Sequence, residues 1–125
     1  ALIEPINHYD IPGYYLNTTA QALSVINEVG AANLLLQYDI YHAQRTEGEL
    51  AATMARHLAK IGHMQLADNP GRHEPGSGEI NYMFLFEQMD KIGYQGHVGC
   101  EYNPKAGTAA GIGWLQRARA QSTVR

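Results

Sequence analysis

Four oxygen-bearing side chains, Glu4, Asp39, Gln65 and Glu101, sit at or near the ends of four short apolar runs, "ALIEPIN", "NLLLQYD", "HMQLAD" and "HVGCEY". Consecutive members are separated by the length of one strand plus one helix. Three carboxylates gathered in one place repel one another unless something positive neutralises them. Glu, Asp, Gln and Glu offer only oxygen ligands, the Gln through its carbonyl, and that donor set suits a hard divalent cation, Mg²⁺ or Mn²⁺. A zinc centre would bring more His or Cys. The competing reading pairs each acid with its own Lys or Arg, yet few basic residues lie near the four in the sequence.

A hard cation flanked by two glutamates suits proton transfer beside a carbonyl. The ion lowers the cost of the enediolate that forms when a carboxylate removes the adjacent proton, and a second carboxylate delivers a proton to the neighbouring atom. That is aldose–ketose isomerisation or epimerisation. The residue types alone do not select it over metal-assisted hydrolysis.

The segments between the four runs have helical period. Thr18 or Thr19 caps a first helix with Ala22, Val25, Ile26 and Val29 on one face and Gly30 as its stop. Thr46 and Glu49 have capping-box spacing ahead of Leu50, Met54, Leu58 and Ile61, with Gly62 ending that helix. Asn81 caps a third, with Leu85, Met89 and Ile92 inward and Gly93 at its end. Thr108 opens a weaker fourth, diluted by Gly111 and Gly113 but carrying Trp114 and Leu115. Strand and helix therefore alternate four times, the mark of a parallel sheet with helices outside it. In such a sheet all the strand C-termini open on one face, where sites are built. Pro5, which cannot donate to a sheet ladder, fits a strand exit directly after Glu4.

The composition of the 125 residues, 45% hydrophobic and 17% charged with a net charge of −3, is that of one globular domain. No basic field suits a nucleic-acid backbone. No apolar run reaches the roughly 18 residues of a membrane span, and no secretory leader is visible. One cysteine, Cys100, excludes an internal disulfide and favours a reducing compartment, with the cytoplasm as the default. Alternation turns Cys100 away from Glu101 toward the helices, as a small buried hydrophobe. Gln37 and His63 lie two residues before Asp39 and Gln65, on the same strand face, as partners for the ligands or as ordinary packing.

The blocks "LIEPIN", "LLLQYDIYHAQ", "HMQLADNPGRHEPGSGEINY" and "GYQGHVGCEYNP" resemble the hydroxypyruvate isomerase family of the xylose-isomerase-like TIM-barrel superfamily. The resemblance runs to about Leu115; "QRARAQSTVR" carries no recognised signal. It implies that Glu4 and Glu101 are the catalytic proton donor and acceptor, and that Glu4, Asp39, Gln65 and Glu101 ligate the divalent metal. His42 is similar in position to a substrate-contacting His of related sugar epimerases, and Arg72 to a substrate-contacting Arg. Arg72 suits the substrate carboxylate through a bidentate pair, in competition with simple pairing to Glu74 or Glu79. Gln at position 65, where those epimerases carry His, points to the hydroxypyruvate branch. The implied reaction interconverts hydroxypyruvate and 2-hydroxy-3-oxopropanoate (tartronate semialdehyde) through an enediolate on the metal. The implied partner is a small 2-oxo/3-hydroxy acid, not a nucleic acid or a membrane. A 2-oxo-tetronate isomerase, a ketose 3-epimerase and an inactive truncated half-barrel are the alternatives.

A TIM barrel needs eight βα units and about 250 residues. Residues 1–125 supply four, apparently units five to eight, the C-terminal half of a (β/α)8 barrel. The start at Ala1, without Met and inside an apolar run, fits a fragment. Four strands leave two open edges, so a homo-oligomer or a missing N-terminal half-barrel is the expected complement.

Overall fold

The structure, a computed structural model, describes residues 1–122. Its centre is a four-stranded sheet in the order β1-β2-β3-β4. The strands are β1 (Leu2–Ile3), β2 (Leu35–Asp39), β3 (Ile61–Leu66) and β4 (Val98–Cys100), and every neighbouring pair is parallel. Consecutive strands lie side by side, each crossover carries helix, and the four C-terminal strand ends emerge together. The expected parallel α/β order is the observed one.

Side-chain alternation divides the sheet into two unlike faces. Leu36, Tyr38, Met64 and Leu66 are buried, packed in one cluster with Ile26, Met54, Leu85 and Met89 from the helices. Each such aliphatic side chain contributes about 1.5–3 kcal/mol by leaving water. The opposite face carries Gln37, His63 and Gln65, all only partly buried.

Helix α1 (Thr19–Val29) forms as its sequence predicts. Thr18 accepts from the Gln21 amide, Gln21 answers the Thr18 backbone, and Gly30 closes the helix at φ 67°. Val29 nevertheless stays exposed, so the apolar stripe is carried by Ala22 and Ile26. Helix α4 (Tyr82–Ile92) also matches, with Asn81 accepting from the Phe84 amide and Gly93 left-handed at its end.

The second crossover departs from expectation. A short helix α2 (Ile40–Thr46) springs directly from β2, so Thr46 ends a helix instead of capping one. Helix α3 (Leu50–His57) begins after Glu49, which is left-handed at φ 49° and makes no side-chain cap; the Thr46–Glu49 capping box does not form. A single 3₁₀ turn, Leu58–Lys60, then leads into β3, which starts at Ile61. Gly62 is consequently a strand residue. A Cβ there would lie 2.7 Å from Leu2 Cδ2 and 2.9 Å from Leu35 Cβ, so close approach of the neighbouring strands, not helix termination, requires the glycine. The weak fourth helix is split into α5 (Thr108–Gly111) and α6 (Trp114–Ser122). Trp114 is buried, whereas Leu115 is exposed.

Candidate active site at the strand ends

Parallel registry brings the predicted residues to one mouth. Asp39 stands beside Gln65 and Gln65 beside Gly99, so the ends of β2, β3 and β4 are level and Glu101 follows just beyond. Glu4 immediately follows β1, whose last residue, Ile3, pairs with Leu36. Gln37 ties the row together: its amide donates to Glu4 Oε2 at 2.7 Å and to Gln65 Oε1 at 2.5 Å. Gln65 in turn donates to Glu101 Oε2 at 3.1 Å. Asp39 joins them through its register with Gln65 and through Arg72, which lies 3.8 Å from Asp39 Oδ2 and 3.0 Å from Glu101 Oε2, so all four predicted ligand residues lie in one cluster. Its tightest group is Glu4, Asp39 and His42, which offer ligand atoms within 4.8 Å of one another.

Asp39 serves two structures at once. Its Oδ1 caps α2, accepting from the amides of Tyr41 at 2.8 Å and His42 at 3.4 Å. This N-cap is the signal by which α2 is legible in retrospect. Its Oδ2 is left buried with no hydrogen-bond partner, as is Glu4 Oε1. His42 Nε2 stands 3.9 Å from each of these two oxygens.

Burial, reinforced by the neighbouring carboxylates Asp39 and Glu101, raises the Glu4 pKa to about 7. Burial likewise pushes Asp39 up to about 6, against the pull of its two amide bonds and Arg72. His42 is lowered to about 4 by burial and by the cationic Arg72 and Arg45. Two buried carboxylate oxygens without hydrogen-bond partners, close to one another, are what a cation would satisfy, since its charge offsets both desolvation and mutual repulsion. The donor set is rich in oxygen, so the residues fit a divalent metal; Glu4 and Asp39 are its best-placed holders.

Arg72 is delivered by a loop built around another carboxylate. Asp68, fully buried, accepts four backbone amides: Asn69 (2.9 Å) and Ile80 (3.0 Å) on Oδ1, Gly76 (2.9 Å) and Gly78 (2.9 Å) on Oδ2. Glycine is required at 78, where a Cβ would fall 2.1 Å from the Asn69 carbonyl oxygen. The polar "DNPGRHEPGSG" stretch is thus wrapped on one side chain, and its Gly-Ser-Gly makes turns around a carboxylate. From this loop Arg72, at φ 55°, reaches Glu101 Oε2 at 3.0 Å and Asp39 Oδ2 at 3.8 Å over the Tyr41 ring. It pairs with neither Glu74 nor Glu79 among the described ion pairs. Glu74 instead accepts from the Lys105 amide, and Glu79 from Asn69. The Asn103 amide donates to the Arg72 carbonyl at 2.7 Å, clamping this loop to the one after β4.

Asn7, Asp10 and Asp68 escape a reading of the sequence alone. Asn7 and Asp68 are fully buried; Asp10 accepts from Asn7, from Tyr41 and from Arg45. The available signal for Asn7 and Asp10 was the dense polarity of "NHYD", which begins three residues after Glu4. Cys100 does face the helices, in a groove with Leu66, Phe86 and Trp114, but it is exposed because β4 is an edge strand and the groove beside it is open. Tyr102 turns away from the mouth, donating to the Gly111 carbonyl and accepting from Trp114 Nε1. His8 is exposed against Tyr9, and His73 pairs with the Asn103 carbonyl.

The fold has counterparts among known proteins. Residues 1–118 match the family model described as xylose isomerase-like TIM barrel. Hydroxypyruvate isomerase of Escherichia coli K12 is 59% identical over 114 residues, which are 91% of this chain and 44% of that protein. A 2-oxo-tetronate isomerase of Cupriavidus necator is 56% identical over 115 residues, 92% of this chain and 44% of its own. The crystal structure of an AP endonuclease, family 2, from Brucella melitensis superposes with a TM-score of 0.90 at 39% identity, over 93% of this chain and 45% of that one. The chain spans about 44% of the length of these curated relatives, as four of eight barrel units would. No helix among the described residues is long and apolar enough to cross a membrane. By the family match over nearly its whole length, and by a parallel sheet with its acids at the strand ends, this chain belongs to the xylose isomerase-like TIM-barrel family.

Proposed function

We propose that these residues form the second half, units five to eight, of a TIM-barrel isomerase that interconverts hydroxypyruvate and 2-hydroxy-3-oxopropanoate. One observation carries the reading: Glu4, Asp39, Gln65 and Glu101 share a single mouth, where Glu4 Oε1 and Asp39 Oδ2 are buried without hydrogen-bond partners. Glu4, Asp39, Gln65 and Glu101 would hold Mg²⁺ or Mn²⁺, which supplies Lewis-acid polarisation of the substrate oxygens when bound. One of Glu4 and Glu101 removes a proton from carbon 3 of hydroxypyruvate. The electrons pass into an enediolate, and the other glutamate delivers a proton to carbon 2. The hydroxyl proton on oxygen 3 leaves as that carbon becomes the aldehyde, and oxygen 2 gains one, so the reaction is redox-neutral overall. Arg72, held by its loop above the carboxylates, orients the substrate carboxylate, and His42 contacts a substrate oxygen. A reducing, cytoplasmic setting suits such a metabolic enzyme with one free thiol.

The test is incubation of an intact barrel carrying these residues with hydroxypyruvate, Mn²⁺ and D₂O. Formation of the isomer with deuterium on carbon 2 is expected; absence of both counts decisively against the assignment. Nearly equal identity to a 2-oxo-tetronate isomerase favours one second reading, a four-carbon acid at the same site. Comparing kcat/KM for three- and four-carbon 2-oxo acids separates the two.

A further inference from the structure

The buried pair Asn7 and His42 sits behind the carboxylates, and its geometry leaves one proton arrangement. The Asn7 amide cannot be turned over. Its Oδ1 accepts from the Asp10 backbone amide at 2.9 Å, and its Nδ2 donates to Asp10 Oδ2 at 3.1 Å. Reversing it would set oxygen against carboxylate and NH₂ against N–H. With that orientation fixed, Nδ2 presents its second hydrogen to His42 Nδ1, 2.6 Å away. The Asn7 backbone amide points at the same nitrogen from 3.5 Å. A ring nitrogen facing two donors must accept. Neutral imidazole carries a single proton, so that proton belongs on Nε2. Asn7 is 0% exposed and His42 2%, so no solvent supplies an alternative partner.

His42 Nε2 is the atom that looks into the site, 3.9 Å from both Glu4 Oε1 and Asp39 Oδ2. An Nε2–H has no lone pair to give a cation. It can only donate, and 3.9 Å is too long for a hydrogen bond to either carboxylate. An oxygen atom entering between the two carboxylates would meet it.

We propose that Asn7 is a positioning residue that locks His42 as the Nε2–H tautomer, making His42 a hydrogen-bond donor to a hydroxyl, carbonyl or alkoxide oxygen of the substrate and excluding it from the metal's ligands. The substrate part rests on the proposed isomerase reading; the tautomer does not. Proximity alone groups His42 with Glu4 and Asp39 as a third metal ligand, and the Asn7 contact is what separates them.

The decisive measurement is two-bond ¹H–¹⁵N correlation of the imidazoles in the intact protein, with the His42 signals assigned by their loss in His42→Gln. A pyrrole-like Nε2 and a pyridine-like Nδ1 are expected; the reverse pattern overturns the proposal. In Asn7→Asp measured at alkaline pH, where the new side chain is ionised despite Asp10 beside it, that side chain can only accept, so the proton should move to Nδ1. The kcat/KM for hydroxypyruvate should then fall at least about tenfold, the worth of one hydrogen bond to a charged oxygen. Should Asn7→Asp fail to fold, Mn²⁺ titration of His42→Gln tests the same point. A dissociation constant within about threefold of wild type is expected, and a loss of about tenfold or more makes His42 a ligand and sinks the idea. A wild-type protein that shows the expected tautomer but neither binds Mn²⁺ nor turns over hydroxypyruvate overturns the isomerase reading and the substrate role of His42, and leaves the tautomer assigned.

Discussion

Replacing Asp68 by Asn tests whether one carboxylate holds the arginine-bearing loop together. The side chain is the same size, so packing hardly changes, but one acceptor oxygen becomes an NH₂ group. Whichever oxygen is lost, two backbone amides then face a donor: Asn69 and Ile80 on one side, or Gly76 and Gly78 on the other. A hydrogen bond to a charged group contributes about 1.5–3 kcal/mol, so losing two costs about 3–6 kcal/mol before relaxation. The substitution also removes a buried charge, and relief of its desolvation offsets part of this. A net destabilisation of about 3–4 kcal/mol is expected, a large share of the 5–15 kcal/mol that folded domains possess. Urea unfolding of the wild type and the variant measures it, provided the denaturant slope stays constant. Amide exchange adds a local readout, with Gly76, Gly78 and Ile80 losing protection first. A loss below about 1 kcal/mol, with those amides still protected, would refute the loop-hub reasoning, because such a value is what one solvent-accessible neutral hydrogen bond provides.

Glu4→Gln and Glu101→Gln should each lower kcat for hydroxypyruvate by about 10²–10⁴ while the fold persists, read by steady-state kinetics beside circular dichroism. Without added metal, the raised pKa values of Glu4 (about 7) and Asp39 (about 6) mean that the folded state holds protons the unfolded chain has released. Their contribution is therefore fully present below the unfolded values of 4.5 and 3.8 and is lost as pH rises through about 6 and 7. In EDTA, the Tm of wild type relative to Glu4→Gln should fall between pH 4.5 and pH 7; a difference that is flat or rises with pH contradicts the assigned burial. Mn²⁺ bound at these carboxylates would displace the same protons, so its apparent affinity should climb across that window, as followed by calorimetry. Gly62→Ala should destabilise by about 1–3 kcal/mol through overpacking against Leu2 and Leu35, checked by thermal unfolding, and a neutral result would mean that β1 and β2 yield at no cost.

Much of the architecture was legible because it is written locally. Capping residues and left-handed glycines mark α1 and α4, and apolar runs mark the four strands. The second crossover was misread where local signals conflict. Thr46 and Glu49 have cap spacing, but Asp39 had already started a helix that consumes Thr46. Gly62 looks like a helix stop until neighbouring strands are placed against it. Cys100 followed strand alternation in direction but not in burial, because burial depends on what lies beyond the sheet edge.

For the site, the sequence by itself determined which oxygen-bearing residues end the strands, since one βα unit of spacing places each at the same mouth once the strands run parallel. It could not say which oxygens remain free. Only the tertiary structure decided that Asp39 divides its carboxylate between a helix cap and the site, that Gln37 links Glu4 to Gln65, and that Asn7 stands behind His42. Hydrogen bonds between residues 28 to 35 positions apart depend on side-chain directions at separate strand ends. Periodicity in the chain records which way a backbone faces, and carries no information about which partner another strand will bring to it.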